Sequence, residues 1–104
     1  MKEETFNSNG RFHIYILANA RYGLTSMGIT GDLIGKIYSY KKDVSRKIIN
    51  RYKIHNLVYY EKAKNMTDAL KRKKQLKSLS RKKKMELIDE INPEWKDLYY
   101  EIIL

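Results

Sequence analysis

The chain has no cysteine, one proline (Pro93) and only two phenylalanines among its 104 residues. Without cysteine, neither a disulfide framework nor a thiolate metal site can form, and the expected setting is intracellular and cytoplasmic. Long apolar runs are also missing. No stretch approaches the roughly 20 residues that a membrane span needs, so no membrane partner is expected. Residues 1–10 are polar and acidic rather than signal-like, and read as a flexible tail ahead of one domain over 11–104. A chain of this length supports one modest core and no second.

Acidic residues are scarce. Lys and Arg number 22 against 12 Asp and Glu, which gives a formal charge of +10 and a pI near 9.7. Such an excess favours a polyanionic partner through phosphate contacts and counterion release. The competing explanation is a base-composition bias that spells surface positions with lysine.

What is present falls into a clear order. Phe12–Ala18 is β-branched and aromatic, Asn19–Gly23 is a polar connection punctuated by glycine, and a second short run ends in Gly28-Ile29-Thr30. Together they predict a β-hairpin, with Phe12, Ile14 and Ile16 on one face and His13, Tyr15 and Leu17 on the other. Tyr15 is then either a cleft-lining phenol or a core aromatic with a satisfied hydroxyl. Gly28 is expected to permit close packing of strand on helix.

Asp32 offers an N-cap to a helix ending near Lys41-Lys42-Asp43, with Lys36 and Tyr40 on one face and Leu33 and Ile37 on another. Residues 44–55 are basic and leave a loop or a helical turn open. Leu57–Glu61 reads as a third strand, followed by a turn at Lys64-Asn65 and a helix capped by Thr67. Ser80 can cap a further helix through Met85, Leu87, Ile88 and Ile91, which Asn92-Pro93 stops. Glu94–Leu104 is an amphipathic closing piece, with Trp95 in the core. The predicted class is α+β: a small three-stranded antiparallel sheet flanked by helices.

Tyr15 within His13-Ile14-Tyr15, Ser26-Met27-Gly28, Asp32-Leu33 and Lys36 together resemble the GIY-YIG nuclease domain, named for two short strand motifs. The likeness extends through Leu57–Glu61, Asp68–Lys77 and Asn92–Trp95, and so covers nearly the whole chain. It is similar to the small single-domain bacterial members and to the N-terminal nuclease domain of the excision-repair endonuclease. The resemblance implies a DNA endonuclease that uses Mg2+ or Mn2+, two motif tyrosines, an arginine on the first helix with a nearby histidine or tyrosine, and a metal-binding glutamate on the long helix.

Carried over to this chain, the catalytic positions are Tyr15, Ser26, Lys36, Tyr40 and Lys73. Tyr15 matches, while Lys36 keeps a charge but loses the planar fork that grips phosphate twice. Ser26 is shorter than the tyrosine it replaces. Lys73 is the decisive change, because an ammonium repels the divalent ion that a glutamate would hold, and each ~1.4 kcal/mol of lost stabilisation is tenfold in rate. Glu61 and Asp68 are the nearest candidates for a relocated metal ligand. His13 and His55, the two histidines, have no acidic partner at metal spacing and read as ordinary polar residues.

The remaining weight lies on KRKKQLKSLSRKKK, residues 71–84. With Leu70, Leu76 and Leu79 facing inward, Lys71, Arg72, Lys74, Lys77, Arg81, Lys82, Lys83 and Lys84 would project as one stripe. Lysine is a flexible point charge, so the stripe suits a sugar-phosphate backbone rather than base edges. A merely solvated helix face is the plainer alternative, although like charges at four-residue spacing cost helix stability. The expected function is a catalytically impaired nucleic-acid-binding domain whose partner is DNA. An active metal-dependent endonuclease and a protein-interaction module stay open, as does the oligomeric state.

Overall fold

A computed structural model describes residues 12–42 and 52–104. The expected tail over 1–10 and most of the unsettled 44–55 stretch lie outside the described residues. Strand β1 (Phe12–Ala18) pairs antiparallel with β2 (Thr25–Thr30) on one side and with β3 (Asn56–Ala63) on the other, giving the order β2-β1-β3. Helix α1 (Leu33–Lys42) precedes β3, and α2 (Met66–Ser78), α3 (Arg81–Ile91) and the short α4 (Tyr99–Ile102) follow it. The class is α+β, with helices on both faces of the sheet.

Alternation along β1 sorts the core into two halves. Ile14, Ile16 and Ala18 join Ala69 and Leu76 of α2, Ile88 of α3 and Trp95. Tyr15 and Leu17 point the other way, to Leu33, Ile37 and Tyr40 of α1 and Tyr99 of α4. Such a strand, buried on both faces, needs apolar residues at every position, which is what Ile14 to Ala18 supply. Tyr40 is buried in the same line as Leu33 and Ile37, so the predicted division of α1 into separate Tyr40 and Leu33/Ile37 faces is corrected.

The hairpin turn is closed by its own side chains. Asn19 accepts from the Leu24 N–H at 2.8 Å, the Gly23 N–H donates to the Ala20 carbonyl at 2.9 Å, and Tyr22 takes a left-handed φ of 59°. Across the sheet, Ile16 faces Tyr59 and Leu17 faces Leu57, which leaves Val58 as an extra bulge residue. Its carbonyl accepts from the Asn92 amide at 3.0 Å, and the same amide donates to the Lys96 carbonyl at 2.9 Å. Asn92, 2% exposed, thus stops α3 and satisfies the bulge it buries.

Helix starts follow side-chain capping. Asp32 accepts from the Gly35 N–H at 3.1 Å, and Ser80 accepts from the Lys83 N–H at 3.1 Å, both as expected. The cap of α2 is Asn65, which accepts from the Asp68 N–H at 2.8 Å, rather than Thr67. Asparagine caps at least as well as threonine, and Ala69, seven residues before Leu76, shares its buried face. Leu70, about 100° further round the helix than Ala69, is 55% exposed, which corrects its predicted inward placement. Of Glu94–Leu104, only Tyr99–Ile102 is helical.

Candidate functional site

The residues singled out from the sequence separate into two layers. Tyr15 is 2% exposed and its hydroxyl lies 3.1 Å from that of Tyr40, with the rings edge to face at 6.2 Å between centroids. Lys36, one helical turn before Tyr40, holds its ammonium 5.6 Å from the Tyr40 ring centre. Of the two readings of Tyr15, the core aromatic with a satisfied hydroxyl is the observed one. Gly28 faces Tyr15 across the hairpin, and it is the Tyr15 ring, not a helix, that requires glycine there. Ser26 pairs with Leu17 and therefore shares this face of the sheet, half-buried.

Lys73 belongs to the other layer. Ala69 and Leu76, four residues before it and three after, pack on the Ile14/Ile16 face, so the sheet stands between that buried line and Tyr15. Arg72 leans toward β3, where Glu61 is. Lys73, about 100° further round the helix, takes the opposite flank of α2.

Glu61 is committed to structure. Arg72 grips it in two places, Nε to Oε1 at 2.7 Å and Nη2 to Oε2 at 3.2 Å, and the Tyr59 hydroxyl donates to the same carboxylate. Burial pushes the Tyr59 phenol up to about 12, and the neighbouring Glu61 charge adds to the rise. The Arg72 guanidinium is held further up by its bond to Glu61. Asp68 sits exposed in the first turn of α2, where its charge favours the helix N-terminus. Among the described residues no group of three His, Asp or Glu side chains is placed to hold a metal ion.

The basic stretch divides in the same way between structure and surface. Arg81 is not a free member of a stripe: its guanidinium donates to the carbonyls of Tyr22 at 2.5 Å and Gly23 at 3.1 Å, tying α3 to the hairpin turn. Arg72 is taken by Glu61. Lys71, Lys74 and Lys77 recur at three-residue spacing on the exposed side of α2, Lys82 and Lys83 continue the exposed charge on α3, and Lys84 is half-buried. What remains for a partner is therefore a lysine surface, with the two arginines holding the scaffold beneath it.

One feature was not anticipated from the sequence. A cleft of about 230 Å3 opens on the Tyr15 side of the sheet, lined chiefly by His13, Tyr60, Lys62, Leu33, Ile34 and Ile102, with Asp32 at the start of α1 also on its wall. The His13 and Tyr60 rings meet edge to face at 5.9 Å. Alternation along β1 sets His13 on this face, as expected from the sequence. Placing Tyr60 and Lys62 beside it needs the β1–β3 register, which no local signal carries.

No helix among the described residues is long and apolar enough to cross a membrane. Compared with family models, with curated proteins and with solved structures, the chain finds no match.

Proposed function

We propose that this protein is a nucleic-acid-binding domain of the GIY-YIG endonuclease type, catalytically impaired, that grips the phosphates of DNA in the cytoplasm without strong sequence preference. The observation that carries the reading is the exposed set Lys71, Lys74, Lys77, Lys82 and Lys83 on two successive helices, in a stretch without a carboxylate between Asp68 and Glu86. Lysines crowded this closely repel one another, and a polyanion relieves that repulsion. The hairpin that leads directly into α1, with Tyr15 against Gly28 and Tyr40, supports the family part of the reading. Impairment rests on Lys73 and Ser26, where the resemblance calls for a metal-binding acid and a second phenol.

The test is binding of labelled branched, single-stranded and duplex DNA across a salt series, with cleavage followed in Mg2+ and in Mn2+. If the five lysines each neutralise one phosphate of a duplex, the slope of log K against log salt is roughly −4 to −5. Cleavage that disappears in Tyr15→Phe would overturn the impairment. Equal retention of DNA and of a polyanion lacking bases and sugars would instead favour an acidic protein partner. A gain of Mg2+ or Mn2+ affinity or of cleavage in the double substitution Lys73→Glu with Lys36→Arg would count for a nuclease ancestry and against the separation of Lys73 from Tyr15 by the sheet, and no gain in either counts against that ancestry.

A further inference from the structure

We propose that the cleft between β1, β3 and the start of α1 holds one unpaired nucleobase, with the attached phosphate on Lys62, an inference that rests on the nucleic-acid reading above. Its volume of about 230 Å3 falls below the roughly 300–1,000 Å3 of pockets that bury drug-sized ligands, so it suits a single planar ring system. The lining matches that shape. Tyr60 supplies an aromatic surface whose orientation is braced by the edge contact with His13, and Leu33, Ile34 and Ile102 supply apolar walls. Bases stack on such rings without regard to sequence, because every base has a π-face.

The charges around the cleft are sorted in the manner a nucleotide needs. Lys62, exposed on β3, is a cation for phosphate. Asp32 is an acceptor suited to an N–H on a base edge, and it stands at the helix start because it caps α1. Lys36 lies one turn beyond Leu33 on the same helix, so a strand whose base enters the cleft has a second cation within reach along α1. A duplex cannot use the cleft without extruding a base, so the cleft favours single strands or distorted sites over regular duplex. The lysine surface of α2 and α3 draws no such distinction.

The experiment uses the full chain and a short single strand carrying one 2-aminopurine, whose fluorescence falls when the base stacks on a ring. Affinities for the unlabelled strand and for a duplex of equal length are measured in parallel. Ile34→Gln lays a longer, non-aromatic polar chain across the mouth of the cleft from an exposed position and leaves the fold intact; Tyr60→Leu removes the stacking ring. Both are expected to relieve the quenching and to weaken single-strand binding about tenfold, with duplex affinity unchanged. Lys74→Glu with Lys77→Glu should weaken both substrates together. If single-strand binding and quenching survive both cleft substitutions while the lysine substitutions weaken both substrates, the cleft assignment is overturned and the nucleic-acid reading stands. If no nucleic acid binds at low salt, the nucleic-acid reading falls, and 2-aminopurine riboside monophosphate decides the cleft. Quenching of that nucleotide, sensitive to Ile34→Gln, assigns the cleft to a free nucleotide, and no quenching overturns it.

Discussion

The phenol of Tyr15 occupies the space that a side chain at position 28 would need: a Cβ built on Gly28 would stand 2.3 Å from the Tyr15 hydroxyl oxygen and 2.5 Å from the ring carbon that bears it. Both residues sit at facing positions of the hairpin. Gly28→Ala therefore has to displace a buried ring that is also bonded to Tyr40. The expected cost is about 1–3 kcal/mol, read from the denaturant midpoint. An alanine variant as stable as the parent would mean that Tyr15 has an alternative position.

Asn92→Ala removes three side-chain hydrogen bonds, two donated to the Val58 and Lys96 carbonyls and one accepted from the Lys96 N–H. The Val58 carbonyl then stays in the core without its side-chain donor. A loss of about 2–3 kcal/mol is expected, again by denaturant unfolding, with Asn92→Asp also costly because it exchanges the donating amide for a charge.

Tyr59 should titrate late. Its phenol is pushed up to about 12 from an ordinary 10.0, by burial first and by Glu61 second. The folded state thus holds this proton more tightly than the unfolded chain. The stability involved is intact below pH 10 and is lost as pH rises through about 12. Ultraviolet titration of the phenolate band should show a late step near pH 12 that is lost in Tyr59→Phe. Burial outranks the carboxylate as a cause, so Glu61→Gln should move the late step down only part of the way.

Trp95 is the single tryptophan, and its indole N–H donates to Asp89 at 2.7 Å. This bond, with a second from the Tyr22 hydroxyl at 2.8 Å, holds the Asp89 carboxyl below its ordinary 3.8. Its contribution to stability is present above that pH and lost as pH falls through the lower folded value. Tryptophan emission should change with an acid midpoint below 3.8, and Asp89→Asn should abolish the step. A midpoint at or above the ordinary value would place the indole elsewhere.

Local patterns announced the strands, the caps at Asp32 and Ser80 and the stop at Asn92, because each is decided by a few neighbouring residues. Thr67 misled because two good capping residues stand two positions apart, and Leu70 because it lies six residues before Leu76, about 120° round the helix from that buried side chain. The pairings of Arg72 with Glu61 and of Arg81 with the Tyr22 and Gly23 carbonyls join distant segments. Within a run of lysines, nothing local distinguishes an arginine that braces the scaffold from one that faces a ligand. The same limit hid the cleft, whose walls come from β1, α1, β3 and α4.

The last segment crosses from one half of the core to the other. Trp95 fills the half beneath α2 and α3, and four residues later Tyr99 fills the half beneath α1. Between them, Asp97 accepts from the Leu57 N–H at 3.0 Å and from the Lys41 ammonium at 2.5 Å, so strand, helix and segment meet at one carboxylate. The segment works as a staple driven through the end of the sheet. Pulling it out would open both sides at once, which couples the unfolding of two cores that lie on opposite faces of one sheet.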